Sequence, residues 1–283
     1  MKQKVIAVVG PTASGKTTLA IKLAHQLSGE IVSADSRLVY KGFDIASAKP
    51  TLEEREGIPH YLIDIVEPEI DYTAGDYARD SKIAIEDILS RGKTPIVTGG
   101  TGLYFRVLLE HYDLAQVDTN YELREKLEQK TKEDLIEDIK NIDYNAFLNL
   151  TKDTSKRRLI RIIELVKTLD KPLSEIEKQK EPEYDVEWIM PELKSREWLY
   201  ERINKRVDKM VELGIVEETK KLLEKHGRIK NFIETIGYKE ILAYLDGVWT
   251  FDEAIEKLKQ HSRNYAKRQL TWFRKNPNLK IEI

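Results

Sequence analysis

Cysteine is absent from this sequence, and so is any long hydrophobic run. Without thiols the chain can form neither a disulfide bond nor a cysteine-ligated zinc site. It contains no stretch of about 18 apolar residues, the length expected of a membrane-spanning helix. The N-terminus leads directly into an apolar strand pattern instead of a targeting segment. These absences predict a soluble cytoplasmic protein with no membrane partner.

A strong net charge is also lacking. Lys and Arg total 47 and Asp and Glu total 49, so the formal net charge is −2. Bulk charge therefore indicates no nucleic-acid partner, which would have to be sought in local clusters. The 41% of hydrophobic residues are enough for a sizeable core, and the 34% of charged residues indicate long solvated helical surfaces. A length of 283 residues suits one large domain with an insertion.

A glycine-rich segment near the N-terminus carries the strongest motif. It follows a short apolar run, precedes apolar residues spaced as one helix face, and fits G-x-x-x-x-G-K-[ST]. Gly10 and Gly15 allow backbone N–H groups to turn toward phosphate oxygens, and the helix N-terminus adds positive potential. Lys16 would supply a charge to the terminal phosphate and Thr17 a hydroxyl for Mg²⁺. The motif predicts that a diphosphate or nucleotide is held by Gly10, Pro11, Thr12, Ala13, Ser14, Gly15, Lys16 and Thr17.

Further strand candidates follow at 30–34, 59–66 and 94–98, separated by helical patterns. This alternation predicts an α/β fold with a parallel, doubly wound sheet flanked by helices. Ligands bind outside the carboxyl ends of such strands, so Asp35 and Thr101 should lie beside the glycine-rich loop. Two adjacent glycines, Gly99 and Gly100, would allow the backbone to approach a ligand closely.

Asp35 has two possible roles on position alone. A carboxylate at this edge can accept a proton from a substrate amine or hydroxyl, or hold a metal-bound water. The alternative is a helix N-cap, because Asp35 precedes a possible helical turn at residues 37–40.

The middle of the chain, from about residue 118 to 185, changes to charged helices with few strand signals. One helix there buries Leu159, Ile162, Ile163 and Val166 on one face and directs Arg157, Arg158 and Arg161 toward the other. Three arginines on one face could contact a phosphate backbone. Alternatively they form a surface cluster whose ion-pair partners include Glu164 and Asp170.

The last third begins with an amphipathic helix at 195–223, which Gly214 interrupts or kinks. Arg202 and Arg206 are four residues apart and share a face of it. Residues 257–275 then contain seven Lys or Arg and no acid. As a helix, one face would carry Gln260, Arg263, Lys267, Thr271 and Arg274, and another would pack Leu258, Tyr265, Gln269 and Trp272. The charged face could contact a phosphate backbone, and nearby aromatics could stack on an unpaired base.

Taken together, these segments resemble the bacterial tRNA dimethylallyltransferase family in order and spacing. The matching segments are GPTASGKT at 10–17, DSRLVY at 35–40, ASAKP at 46–50, PHYLID at 59–64, TGGTGLY at 98–104, Gly-Tyr-Lys at 237–239 and RNYAKRQLTWFR at 263–274. Leu38 and Ala46-Ser47 stand where many members have Gln and Gly-Thr. The motifs span nearly the whole chain.

The resemblance implies transfer of a dimethylallyl group from dimethylallyl diphosphate to N6 of adenosine 37 in tRNA, with Mg²⁺ as cofactor and a monomeric enzyme. It implies a P-loop NTPase-like core with C-terminal tRNA-binding helices (1–117 and 186–283). Residues 118–185 would form a mainly helical insertion domain that closes over the anticodon stem.

The resemblance also implies residue roles. Asp35 would take the N6 proton, Arg206 would reach the diphosphate, and Thr101 would place the base or the diphosphate. Contacts with tRNA are implied for Asp35, Ser36, Arg37, Leu38, Thr101, Arg124, Arg157, Arg158, Arg161, Gly237, Tyr238, Lys239, Lys267, Arg268, Gln269, Thr271, Trp272 and Arg274.

Other functions remain compatible with the glycine-rich loop. A small-molecule kinase or an adenylate isopentenyltransferase would use the same loop, but neither needs the acid-free C-terminal helix. A nucleotide-gated RNA-binding protein without catalysis would need neither Asp35 nor Thr101 at the sheet edge.

Overall fold

The computed structural model describes residues 2–110, 120–176 and 181–282. Within them the strands are β1 (Gln3–Val9), β2 (Gly29–Ser33), β3 (His60–Tyr61), β4 (Thr94–Gly99), β5 (Tyr184–Pro191) and β6 (Leu279–Glu282). The helices are α1 (Lys16–Leu27), α2 (Ala74–Ser90), α3 (Gly102–Leu109), α4 (Tyr121–Glu128), α5 (Lys132–Ile142), α6 (Tyr144–Leu148), α7 (Lys156–Leu169), α8 (Leu173–Ile176), α9 (Arg196–Glu212), α10 (Ile215–His226), α11 (Lys230–Ile233), α12 (Tyr238–Leu245) and α13 (Phe251–Phe273).

The chain divides into two compact units. Unit 1 combines Met1–Leu109 with Glu183–Ile283, and unit 2 is Glu110–Pro182. The sequence placed the start of the insertion at residue 118, which lies outside the described residues, and its end at residue 185. No helix in the described ranges is both long and apolar enough to cross a bilayer.

Unit 1 is built on one parallel sheet with the strand order β3-β2-β4-β1-β5-β6. The central strand β1 pairs with β4 on one side and β5 on the other, in registers that set Val9 opposite Gly99 and Val8 opposite Ile189. Strands β1 and β4 are mostly apolar and buried, as expected of strands covered on both faces. The predicted parallel α/β sheet is confirmed, and its carboxyl edge carries the loops after β1, β2 and β4.

Three strand assignments differ from the sequence prediction. The candidate at 59–66 forms a strand over only two residues, because Leu62 and Asp64 adopt positive φ values of 62° and 57° that end the extended backbone; Val66 pairs separately with Tyr40. Strands β5 and β6 were not predicted. Both mix charged and apolar residues and lie toward one edge of the sheet, so they lack the continuous apolar run that marked β1 and β4.

Side-chain caps and one glycine set the helix boundaries of unit 1. Thr73 caps α2 in a reciprocal capping box with Asp76, and Ser195 caps α9 through the N–H of Trp198. The predicted helix at 195–223 is two helices, because Gly214 adopts a φ of 89° between α9 and α10. Helices α9 to α13 pack against residues 39–46 around a buried aromatic cluster of Phe43, Phe232 and Tyr238.

Unit 2 is helical throughout its described residues and has its own core. Apolar residues of α4, α5, α6 and α7 form one buried cluster, and the predicted apolar face of α7 lies within it. The carboxylate of Glu164 is also fully buried there. It accepts two hydrogen bonds from Arg124, one from Arg161 and one from the backbone N–H of Asn120, at 2.6–2.9 Å. Arg124 and Arg161 therefore neutralise a buried charge, as the alternative interpretation of this cluster anticipated for Glu164.

We expect Glu164→Gln to destabilise unit 2 by about 2 kcal/mol, because it removes the charge that strengthens the hydrogen bonds from Arg124 and Arg161, both of which remain partly exposed. The hydrogen bonds of the two arginines hold the pKa of Glu164 below its usual range against the opposing effect of burial. Amide hydrogen exchange in α4 and α7 measures the change in the intact protein. Glu128→Gln, on an exposed position of α4, is the matched control. Equal protection in the two variants would contradict the assignment.

Candidate active site

The Gly10–Thr17 loop connects β1 to α1 at the carboxyl edge of the sheet. Its shape depends on positive φ values at Gly10 (150°), Ala13 (62°) and Gly15 (94°). The first N–H groups of α1, which begins at Lys16, have no intrahelical acceptor and open toward this edge. The Ser14 hydroxyl is buried and has no hydrogen-bond partner among the described residues. Such a loop offers donors to an anion.

Two side chains from distant parts of the chain hold this loop. Arg202 of α9 donates from Nε to the carbonyl of Ala13 at 2.7 Å, and its guanidinium lies over the Trp198 ring. Gln269 of α13 accepts the N–H of Thr12 at 2.8 Å. The sequence singled out neither contact, since both join residues far apart in the chain.

Three charged groups meet beside the loop. Burial and, to a smaller extent, the positive charge of Arg206 lower the pKa of Lys16 to about 8, while the Asp35 carboxylate acts in the opposite direction. Burial likewise lowers the pKa of Arg206, and Asp35 again opposes the shift. Arg206 donates to the carbonyl of Ser47 at 3.1 Å. Helix α9 thus brings one arginine of the predicted Arg202–Arg206 face to Lys16 and Asp35, and the other to the loop itself.

The lowered pKa of Lys16 predicts a pH dependence. Lys16 carries its charge below about pH 8 and loses it above, so anion binding by the free enzyme should weaken as the pH rises through 8. We expect kcat/KM for a diphosphate donor to fall toward a limiting slope of about tenfold per pH unit. The Lys16→Arg variant should not show this fall in kcat/KM above pH 8, because its guanidinium stays charged. A break near pH 8 in both proteins would assign it to another group.

The segment after β2 is a turn anchored to the segment after β4. Asp35 accepts the N–H of Arg37 on Oδ1 at 2.9 Å, and the N–H of Ser36 donates to Thr101 Oγ1 at 3.1 Å. The N–H of Thr101 donates to the carbonyl of Ala34 at 3.1 Å. No regular helix follows Asp35 in this part of the described chain, but residues 36–39 form a turn whose Arg37 N–H is capped by the Asp35 carboxylate, so the capping alternative holds for a turn and not for a helix. The predicted neighbours Asp35 and Thr101 do lie together.

Two tyrosines complete the surroundings of Asp35 and were not predicted as site residues. Burial and the Asp35 carboxylate raise the pKa of Tyr265 to about 12, with the Thr101 hydroxyl acting against the shift. Burial is also the main cause of the raised pKa of Tyr104, to which Asp35 contributes. Tyr104 stacks on Tyr77 with ring centroids 3.9 Å apart. Tyr104 and Tyr265 are therefore close enough to the half-buried Asp35 to feel its charge.

The glycines after β4 lie in close contact with other segments of the protein. A Cβ at Gly99 would lie 2.1 Å from the carbonyl oxygen of Ala34, and one at Gly100 would lie 2.1 Å from Nε2 of Gln269. A Cβ at Gly102 would lie 2.4 Å from Nε1 of Trp272. The missing side chains of Gly99 and Gly100 therefore leave space for the backbone after β2 and for Gln269 of α13.

Three of the residues predicted to contact tRNA are buried in the protein. Tyr238 is fully buried and donates its hydroxyl to Glu218, which also accepts the N–H of Ile45. Gly237 is buried, and a Cβ there would lie 2.7 Å from that of Ala46. Gln269 is only 5% exposed. All three position protein segments, whereas Lys239 beside them is exposed.

The remaining predicted contacts on α13 face solvent. Lys267, Thr271 and Arg274 are exposed on one side of the helix, as the spacing predicted. Arg268 is exposed and its guanidinium lies 5.6 Å from the Tyr265 ring centroid. Trp272 was assigned to the packed face but is 41% exposed, with one edge against Gly102. An exposed aromatic ring beside cations suits a stacked base.

Of the other candidates, the three residues after Asp35 (Ser36, Arg37 and Leu38) are half-buried at the sheet edge. In unit 2, Arg157 is exposed and Arg158 half-buried on α7, while Arg124 and Arg161 hold Glu164. Thr17 is exposed at the second position of α1. Nowhere in 2–110, 120–176 or 181–282 do three His, Cys, Asp or Glu side chains form a metal site.

A parallel sheet whose central strand leads into such a loop, with Lys16, Arg206 and Asp35 at the same edge, defines an enzyme that acts on a phosphorylated substrate. Comparison with known proteins specifies the class. The IPP transferase family model matches residues 38–276, and the isopentenyl transferase model matches residues 3–70. The chain is 44% identical to the tRNA dimethylallyltransferase of Anoxybacillus flavithermus, covering 97% of this chain and 88% of that protein. It is 43% identical to that of Carboxydothermus hydrogenoformans, covering 99% and 92%.

Solved structures agree. The full-length tRNA isopentenylpyrophosphate transferase of Bacillus halodurans aligns with a TM-score of 0.75 and 39% identity, over 99% of this chain and 90% of that one. A eukaryotic dimethylallyltransferase acting on tRNA aligns with a TM-score of 0.79 and 30% identity, over 96% and 70%. The chain belongs to the tRNA dimethylallyltransferase family.

Proposed function

We propose that this protein transfers a dimethylallyl group from dimethylallyl diphosphate to N6 of adenosine 37 in tRNA. The observation that supports it most is the grouping of Lys16, Arg206 and Asp35 at the sheet edge, since the reaction needs cations for a leaving diphosphate and a base for an amine. The exposed cationic face of α13, with Trp272 at its end, supports an RNA substrate.

The transfer breaks one bond and forms another at the allylic carbon. The bond from this carbon to the diphosphate oxygen breaks with its electron pair going to diphosphate, and the N6–carbon bond forms. Lys16, Arg206 and the N–H groups at the start of α1 stabilise the charge on the leaving diphosphate. The lone pair of N6 is delocalised into the ring, so N6 is a poor nucleophile. Asp35 accepts a hydrogen bond from N6 and takes its proton as the N6–carbon bond forms. Thr101 holds the turn that carries Asp35 in place.

Adenosine 37 must leave its stack to bring N6 to Asp35, because the carboxylate lies at a half-buried position. Lys267, Thr271 and Arg274 would contact phosphates, and Trp272 could stack on an unpaired base. In unit 2, Arg157 and Arg158 are the arginines we propose for further contacts with the RNA. The walls formed by Tyr104 and Tyr265 would exclude water, which would otherwise compete for the allylic cation.

A magnesium ion fits the residues present. Mg²⁺ is usually held by one or two protein oxygens together with substrate phosphates, and the exposed Thr17 hydroxyl at the start of α1 is such a ligand. When bound, the ion would neutralise part of the diphosphate charge. We also propose a monomeric enzyme that works in the cytoplasm, where tRNA is modified.

The test is transfer of labelled dimethylallyl, with Mg²⁺, to unmodified tRNA, an anticodon stem-loop and AMP in parallel. We expect label on both RNAs, abolished when adenosine 37 is replaced by guanosine. Label on AMP alone would make the protein a free-nucleotide prenyltransferase. No label, alongside ATP turnover, would indicate a kinase.

A further inference from the structure

Gln269 of α13 joins two catalytic loops through one buried amide. Its Oε1 accepts the backbone N–H of Thr12 at 2.8 Å, and its Nε2 donates to the carbonyl of Gly100 at 3.0 Å. An amide carries an acceptor and a donor on one rigid group, so a single glutamine satisfies both loops at once. With 5% exposure, the side chain has little access to any molecule outside the protein.

The backbone around Gln269 is shaped to admit this amide. A Cβ at Gly100 would lie 2.1 Å from Nε2 and 3.3 Å from Cδ of Gln269, while its next neighbour, the carbonyl oxygen of Gly10, is 3.9 Å away. Glycine at position 100 is therefore required by the amide of Gln269 and by little else. The two residues form a matched pair.

We propose that Gln269 is a positioning residue for the diphosphate. The backbone N–H of Thr12 donates to the Gln269 amide and is therefore not available to a phosphate. The same hydrogen bond fixes the backbone of the Gly10–Thr17 loop at Thr12. The groups left to meet an anion then include the Ser14 hydroxyl, the first N–H groups of α1 and the Lys16 ammonium. A loop held in its binding conformation before the ligand arrives loses less entropy on binding.

The proposal assigns Gln269 a different role from that of its neighbours on α13. Lys267 and Thr271, two residues away on either side, point to solvent, where RNA would bind. A change at Gln269 should therefore alter the diphosphate side of the reaction and leave RNA affinity unchanged. If Gln269 only stabilised the fold, its replacement would lower stability without affecting diphosphate binding and RNA affinity differently.

The first experiment replaces Gln269 by methionine, which keeps the length and removes both hydrogen bonds. We expect the Kd for inorganic diphosphate, measured by calorimetry, and the KM for the donor to rise about tenfold. The KM for tRNA should stay within about twofold, as expected for a group that does not touch RNA. Gln26→Met, at an exposed position near the end of α1, is the control and should change neither. A rise in the tRNA KM alone, or unchanged diphosphate binding, would overturn the proposal.

The second experiment uses the matched pair. Gly100→Ala in the wild type should weaken diphosphate binding at least as much as Gln269→Met, because the new Cβ displaces the amide. In a Gln269→Ala background the same change should have little further effect, since the clashing atoms are gone. Gly75→Ala, at an exposed position of α2, is the control in both backgrounds. Equal effects of Gly100→Ala in the two backgrounds would refute the coupling.

Gln269→Glu covers the case in which the other variants at this position do not fold. It keeps the length and one acceptor for the Thr12 N–H, but turns its second oxygen toward the Gly100 carbonyl. Unchanged diphosphate binding in folded Gln269→Glu would also overturn the proposal.

The inference depends on the proposed function for the identity of the dimethylallyl donor. The binding of inorganic diphosphate, which tests the inference, does not depend on it. If the wild type binds inorganic diphosphate but transfers no dimethylallyl group, the proposed function fails while the differences between variants still decide the role of Gln269. If transfer occurs and Gln269→Met binds diphosphate as the wild type does, only the inference fails.

Discussion

Asp35→Asn is expected to reduce kcat about a thousandfold, the range of effects seen when a positioned general base is removed. The asparagine side chain has the same shape, and its oxygen can still accept the N–H of Arg37, so the turn after β2 should persist. What disappears is the ability to take a proton from N6. Single-turnover transfer to an anticodon stem-loop measures the chemical step directly.

Binding separates this loss from misfolding. The Kd for tRNA and the melting temperature of Asp35→Asn should match those of the wild type. Asp185→Asn, at an exposed position of β5, is the matched control and should retain full activity. Wild-type turnover in Asp35→Asn would remove the base assignment, and loss of tRNA binding would make Asp35 a contact residue instead.

Lys16→Met should lower kcat/KM for the donor by about a thousandfold, since it removes a desolvated cation aimed at a developing negative charge. Burial and the nearby charge of Arg206 lower the pKa of Lys16, so the charged form of this ammonium is disfavoured when no anion is bound. A diphosphate would relieve both penalties, so its charge should be strongly coupled to Lys16. Steady-state kinetics with varied donor at saturating tRNA provide the measurement.

Lys22→Met, an exposed position on the same helix, controls for the loss of a lysine. Inorganic diphosphate binding should weaken in Lys16→Met and persist in Lys22→Met. An effect confined to the KM for tRNA would instead place Lys16 at the RNA side of the site.

The central fold could be predicted because its signals are local. Strands β1, β2 and β4 are short apolar runs buried on both faces, and the glycine-rich motif fixed where β1 gives way to α1. Strands β5 and β6 could not be recognised in this way, because they contain charged residues. Lys280 of β6 and Glu187 of β5, for example, form an ion pair between the two strands. The shortness of β3 depends on the positive φ values at Leu62 and Asp64, which their residue types do not signal.

The positions of Lys16 and Asp35 at the carboxyl edge of the sheet could be predicted, because a motif and the end of a strand determine them. The surroundings of other candidate residues could not be predicted, because distant segments of the chain determine them. Gly100, Tyr238 and Gln269 suit contact with RNA or a ligand by type, yet each is occupied by a distant segment of the same chain. Arg124 and Arg161 likewise hold Glu164, and only the folded unit reveals that this carboxylate is buried.

The hydrogen bond from Thr12 to Gln269 spans 257 residues of sequence. A chain that grows from its N-terminus can form β1, β2, β4 and the glycine-rich loop early, but the last support of that loop is synthesised almost at the end. Closing so long a loop is slow and follows the formation of local contacts. We therefore expect the support of this loop to form late in folding, and a chain cut before α13 to retain the motif without the hydrogen bonds of Gln269 to Thr12 and Gly100.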